Sequence, residues 1–276
     1  MLTHMNEGIT MTIGNQTVPL FAETLPLAIS DQGSGRIFLL LHGGAGPDSM
    51  SGLARALSGN GRAIVPTHPG FSGQPQPEWF HHVDDLALAY LALLDQVDAR
   101  DVILVGNSFG GWIAAEMALR NSPRVAGLVL LCAAGIDAAP DGRPILNPLT
   151  LPPADRAAFA FHDPRQFAVV PATPEGLAMM ASNQKAMLSY SGEAFMHDPT
   201  LRARLAGIAV PSMVIWGESD RIIDVEYGRR YADSIPGARF EVVAEAGHFP
   251  HIEKLDRVVS LIGDLVDAGK AYGNRM

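Results

Sequence analysis

Hydrophobic positions along this chain alternate between two patterns. Six short apolar runs, Ile37 to Leu41, Ala63 to Pro66, Val102 to Gly106, Val125 to Leu131, Met213 to Trp216 and Phe240 to Ala244, lack a regular polar face and end in Gly-rich or Asn/Asp-rich turns. Such runs predict strands buried on both faces. Helical patterns lie between them. The clearest sets Val83, Leu86, Ala87, Tyr90, Leu94 and Val97 on one stripe at 3.6-residue spacing, with Asp84, Asp85 and Asp95 off it. Strands alternating with helices predict an α/β fold: a mostly parallel sheet with helices on both faces, whose sites gather beyond the carboxyl ends of the strands.

One region breaks the alternation. From about Ala133 to Gly207 the strand signals stop, prolines cluster (Pro140, Pro144, Pro148, Pro152, Pro153, Pro164, Pro171, Pro174), and helical pieces rich in Phe and Met follow. This predicts a helical cap at 133–207 inserted into a core made of residues 1–132 and 208–276. Phe159, Phe161, Phe167, Met179, Met180, Met187, Phe195 and Met196 either line a pocket or form the insertion's own small core, the ordinary outcome for such a stripe.

Composition narrows the classes. With 276 residues, 47% hydrophobic and 18% charged, the chain has ample material for a core and is not a disordered tail. The single cysteine, Cys132, at the end of an apolar run, reads as a buried small hydrophobe, and rules out an internal disulfide or a cysteine-based zinc cluster. The first basic residue is Arg36, so the N-terminus lacks the basic start of a signal peptide. With reducing conditions implied by cysteine usage, a cytoplasmic protein is expected. No apolar run approaches the roughly 18 residues of a spanning helix, so no membrane partner is expected. A net charge of −9 without a basic run disfavours nucleic acid. Phosphate-cradle and dinucleotide motifs do not occur, His81 and His82 are adjacent and point apart, and His68, His162 and His197 show no ligand spacing. The expected partner is a small-molecule substrate, with no cofactor and no metal.

Chemistry concentrates where the run at 102–106 meets a helix. Gly106-Asn107-Ser108-Phe109-Gly110 is a G-x-S-x-G sequence between a predicted strand and the predicted helix from Trp112. A serine hydroxyl is a weak nucleophile until it is exposed and paired with a base, and a sharp strand-to-helix turn exposes it. Gly106 and Gly110 fit that turn because a side chain at either would collide with the crossing backbone. Downstream, Asp220 in Gly217-Glu218-Ser219-Asp220 and His248 in Gly247-His248 each follow a predicted strand, at the edge that carries Ser108. Nucleophile, carboxylate and base are thus delivered to one edge by three strands. Asp137 and Asp224 are alternatives to Asp220, and His251 is the alternative to His248. A fourth strand ends in His42-Gly43-Gly44-Ala45-Gly46; the N–H of Gly44, or of Gly43, together with that of Phe109, can form an oxyanion hole. His42 reads as a structural ring bonded to this loop.

At these residues the sequence resembles the α/β-hydrolase family, from about residue 36 to 266. The resemblance rests on HGGAG (42–46), THPGFSG (67–73), GNSFGG (106–111), WGESD (216–220) and GHFPHIEK (247–254). It implies an eight-stranded sheet, a cap after the sixth strand, and Ser108, Asp220 and His248 as a catalytic triad. The implied activity is hydrolysis of a small to medium, largely apolar carboxylic ester through an acyl-enzyme. GNSFGG and His197-Asp198-Pro199-Thr200-Leu201 also resemble the branch that hydrolyses carbon–carbon bonds of ring-cleavage diketones, although Phe249 stands where that branch commonly carries Trp. A ligand-binding receptor that retains the fold is the reading from another class.

Overall fold

The computed structural model describes residues 14–140, 142–168, 173–192 and 194–273; residues 1–13, on which part of the expectation about a leader rests, lie outside them. Eight strands form one sheet: β1 (Gly14–Leu20), β2 (Leu25–Gly33), β3 (Ile37–Leu41), β4 (Arg62–Pro66), β5 (Val102–Asn107), β6 (Val125–Leu131), β7 (Ser212–Gly217) and β8 (Arg239–Val243). Their spatial order is β1-β2-β4-β3-β5-β6-β7-β8. From β4 to β8 all neighbours run parallel, while β1 pairs antiparallel with β2, and β2 with β4.

The six apolar runs are the six parallel strands. Five of them, β3 to β7, are almost wholly buried, as helices on two sides require; β8, at the sheet's edge, departs from that expectation, with Arg239 and Val242 exposed and Phe240 and Glu241 half-buried. In β3, Leu39 and Leu41 join one core with α2 (Val83–Gln96) and α3 (Phe109–Leu119). Phe38 and Leu40, pointing the other way, join a second core with α1 (Ser51–Ser58) and α10 (Leu255–Gly273). Each fully buried leucine contributes about 1.5–3 kcal/mol.

The hairpin β1–β2 was not among the runs. Its second strand alternates buried and exposed positions at the start, as an edge ribbon with one wet face does. Its turn runs through Phe21, Ala22 and Glu23, all at positive φ without a glycine or asparagine to announce it.

Between β6 and β7 the chain leaves the sheet for α4 (Pro153–Ala160), α5 (Pro164–Phe167), α6 (Pro174–Ser191) and α7 (Leu201–Arg204). Helix α6 docks beside the loop after β4: Asn183 Oδ1 accepts from the Ser72 N–H at 2.7 Å, and the Tyr190 hydroxyl donates to Pro69 O at 3.1 Å. The carboxyl end of α4 docks on the other side, where Arg221 N–H donates to Phe159 O and His248 N–H to Ala160 O. The inserted helices therefore bridge the sheet's carboxyl edge. Their Phe and Met residues divide: Met196 is buried, Phe159, Met187 and Phe195 pack against the sheet's core, and Met179 and Met180 are exposed. Helices α8 (Val225–Asp233) and α9 (Pro250–Glu253) complete the layers. Among the described residues no helix is long and apolar enough to cross a membrane.

The turn from β5 into α3 is possible only because backbone meets backbone. A Cβ on Gly106 would lie 2.2 Å from Gly110 O, and one on Gly110 would lie 2.1 Å from Leu41 O. Gly110→Ala is expected to push β3 and α3 apart, losing several kcal/mol of stability or soluble expression altogether; a urea midpoint equal to wild type would contradict this packing.

Candidate active site

Ser108 occupies the residue between β5 and α3 with φ 54° and ψ −117°, a conformation that costs about 1–3 kcal/mol for a residue with a side chain. Its backbone is over-determined: Ser108 N–H donates to Leu131 O at 3.0 Å, and its carbonyl accepts from Gly111 N–H at 2.9 Å and Ala134 N–H at 3.0 Å. The strain is thus held by β6 and by the first turn of α3, whose N-terminal dipole faces the serine.

The loops after β7 and β8 bring a carboxylate and an imidazole together. His248 Nδ1 lies 2.8 Å from Asp220 Oδ2, and both side chains are almost fully buried. The carboxylate accepts, so Nδ1 carries a proton, and in the neutral ring Nε2 is the acceptor. Asp220 Oδ1 accepts from the N–H groups of Ile222 and Ile223 at 2.8 and 3.0 Å, which fixes the carboxylate's plane. The other carboxylates are engaged elsewhere: Asp137 pairs with Arg202, and Asp224 caps α8 through Tyr227 N–H. His251 is buried in α9 with neither ring nitrogen hydrogen-bonded.

Asn107 joins this pair to the serine. Its Nδ2 donates to His248 O and to Leu131 O, both at 3.1 Å, so the residue preceding Ser108 holds the backbone of His248. The motif reading passed over Asn107 although it lies inside GNSFGG. Cys132 was read only as core. Its Sγ lies behind the pair, with the ligand-type atoms of Cys132, Asp220 and His248 all within 4.8 Å of one another. Burial pushes its thiol well up, helped by the Asp220 charge. Glu253 lies inside GHFPHIEK, but the motif by itself assigns it no role; its carboxylate accepts from Gly247 N–H at 2.6 Å.

Across from the imidazole, the loop after β3 approaches the serine closely: a Cβ on Gly43 would lie 3.0 Å from Ser108 Cβ, and one on Gly44 2.7 Å from Met187 Sδ of α6. Among the described residues, the N–H groups of Gly44 and Phe109 donate to no carbonyl. His42 Nδ1 meets Gly43 O at 2.8 Å, and His42 Nε2 accepts from His68 N–H at 3.1 Å, which puts the ring proton on Nδ1. That donor grips the peptide shared by Gly43 and Gly44, directing the Gly44 N–H away from His42. His68 stacks on His42 with centroids 3.6 Å apart and bonds Tyr90 through Nδ1.

Burial drives these rings to the neutral form. It lowers His42 to about 4 against the opposing bond to Gly43 O, and pushes His68 well below its ordinary value, with His42 adding to the effect. Burial lowers His251 to about 3, the nearby Ser49 backbone offsetting part of the shift. No described Lys or Arg is buried either. Between the ordinary value of 6.5 and their folded values these rings bind fewer protons than in the unfolded chain. Stability is therefore complete above about pH 6.5 and declines as pH falls towards 4, by up to ~1.4 kcal/mol per pH unit for each ring. Urea midpoints measured from pH 7.5 to 4.5 should fall, and His251→Gln should flatten the slope; a level profile in wild type would show that the rings are not held neutral.

The sequence profile of the alpha/beta hydrolase family matches residues 38–261. The 2-hydroxymuconate semialdehyde hydrolase of Pseudomonas sp. (strain CF600) is 28% identical over 262 residues, covering 86% of this chain and 89% of that protein. A meta-cleavage product hydrolase from Pseudomonas fluorescens IP01 superposes with a TM-score of 0.74 at 23% identity, over 93% of this chain and 98% of its own. An esterase from Thermogutta terrifontis superposes with a TM-score of 0.67 at 24% identity, over 93% of this chain and 99% of its own. The structural likenesses speak for the fold; the profile, matching most of the chain, decides the lineage, and this chain belongs to the alpha/beta hydrolase family.

Proposed function

We propose that this hydrolase acts by acyl transfer on a small to medium, largely apolar carboxylic ester, with Ser108 as nucleophile, His248 as base and Asp220 as the carboxylate that orients it. The observation that carries the proposal is the bond from His248 Nδ1 to Asp220 Oδ2, on an imidazole whose backbone is held by the residue next to Ser108. His248 Nε2 takes the proton from Ser108 Oγ as that oxygen attacks the ester carbonyl. The N–H groups of Gly44 and Phe109 bind the oxyanion, with Gly43 the second choice on that loop, each donor worth about 2.7–4 kcal/mol in the transition state. The proton passes to the departing alkoxide, and water activated by His248 releases the acyl group. Residues 133–207 serve as the cap over this site.

Charge supports a neutral ester. Met187 over Gly44 and the stacked rings of Phe161 and Phe249 at 5.0 Å offer apolar surface beside the site. The buried imidazoles of His42 and His251 are neutral at pH 7, and no described Lys or Arg is buried, so an anionic substrate finds no buried permanent cation. The second reading, hydrolysis of a carbon–carbon bond in a ring-cleavage diketone, is favoured by the relatives named for such hydrolases.

Ser108→Ala should abolish turnover of p-nitrophenyl butyrate while leaving the unfolding transition intact, and Asp220→Asn should lower kcat by on the order of 10³–10⁴-fold through loss of the correct tautomer. A fluorophosphonate probe should label Ser108 in wild type; failure to label would favour a binding protein. Faster loss of a yellow dienol substrate than of any ester in a chain-length series would transfer the assignment to the carbon–carbon reading.

A further inference from the structure

The carboxylate of Glu253 is buried at the end of α9, and all three of its hydrogen-bond donors are backbone amides of irregular segments. Oε2 accepts from Gly247 N–H at 2.6 Å; Oε1 accepts from His162 N–H at 2.9 Å and Asp163 N–H at 3.0 Å. Gly247 immediately precedes His248, whereas His162 and Asp163 form the joint between α4 and α5 in the inserted helices. One carboxylate therefore ties two segments about 85 residues apart in sequence that no shared secondary structure joins.

The surrounding contacts run across the same seam. His248 N–H donates to Ala160 O at 2.7 Å, and a Cβ on Gly247 would lie 2.4 Å from that oxygen. Phe161 stacks on Phe249, and His162 Nδ1 meets Ser219 Oγ at 2.8 Å, next to Asp220. The N–H of His248 is thus held directly by the 160–163 joint and that of Gly247 through Glu253, while the carbonyl of His248 is held by Asn107.

We infer that Glu253 is a positioning residue that sets the imidazole of His248 only while the 160–163 joint is seated, so that cap docking and assembly of the base are one event. The inference rests on the reading of His248 as the base. Lifting the joint breaks the amide bonds that Glu253 makes to His162 and Asp163 and the bond from His248 N–H to Ala160 O, and leaves the base on a loosened loop. The carboxylate suits this task because it offers acceptors in two directions and no donor.

The test is Glu253→Gln. Glutamine has the same shape but one acceptor oxygen. Turning that oxygen to the joint preserves two bonds, and the NH₂ group then confronts Gly247 N–H, donor against donor. The variant should remain folded with its cap attached while kcat for p-nitrophenyl butyrate falls about 10- to 100-fold, with KM changed by less than about threefold. The downfield Nδ1 proton resonance of His248 should broaden or vanish. Glu253→Asp, one methylene too short to span both segments, should show the same loss. Wild-type kcat in a folded Glu253→Gln would overturn the inference. Should neither variant fold, hydrogen exchange on wild type decides: the amides of Gly247, His162 and Asp163 should be protected together, and a fast Gly247 amide beside slow partners would refute the link. Wild type that neither turns over the ester nor labels at Ser108 would instead remove the assignment of the base itself.

Discussion

The site depends on a near-contact between backbones. At the end of β5 the chain must reverse into α3 within one residue, and the reversal brings Gly110 against the last carbonyl of β3 and Gly106 against Gly110 O, at separations where no Cβ fits. Only then does the residue between them, Ser108, rise above the sheet edge in its strained, positive-φ conformation. The bonds to Leu131 and Ala134 that hold this conformation come from the neighbouring strand β6 and the loop behind it, and the bond from Gly111 N–H comes from the first turn of α3, so sheet and turn support the strain together.

Around that point the structure stores polar groups in dry surroundings and satisfies most of them. Tyr90, His68 and His42 form a buried series ending at the peptide shared by Gly43 and Gly44, and the depressed basicity of the two imidazoles keeps them as directed donors and acceptors rather than as charges. Asp220 spends one oxygen on backbone amides and the other on His248. Such networks favour one geometry because any displaced group is left unpaired in a medium that does not solvate it. The inserted helices meet the site on both flanks: α6 contacts the loops after β3 and β4, and the joint after α4 contacts the loops after β7 and β8.

Much of this was legible before any coordinates. Apolar runs marked the six parallel strands: in β3 to β7 helices cover both faces and leave no polar side, whereas the edge strand β8 is half-exposed and carries Glu241 within its run. The spacing of glycines around Ser108, and the placement of Asp220 and His248 just after two of those runs, pointed to a common edge. The hairpin β1–β2 escaped because a half-exposed ribbon has a weaker pattern and because its turn adopts positive φ at Phe21, Ala22 and Glu23, residues that carry no such signal. Glu253 escaped for another reason: its partners at 162–163 and 247 are backbone amides, which look alike at every position of a sequence.

The sequence by itself therefore determined the alternation of elements, the glycine-lined turn and the placing of Ser108, Asp220 and His248 just after strands, because these follow from local periodicity and from the steric needs of single residues. The tertiary structure decided which carboxylate among Asp137, Asp220 and Asp224 meets His248, which way the Gly43 peptide faces, and that Glu253 joins the inserted helices to the loop of His248. Each of these depends on distances between segments far apart in the chain, and such distances exist only once the sheet has closed its core.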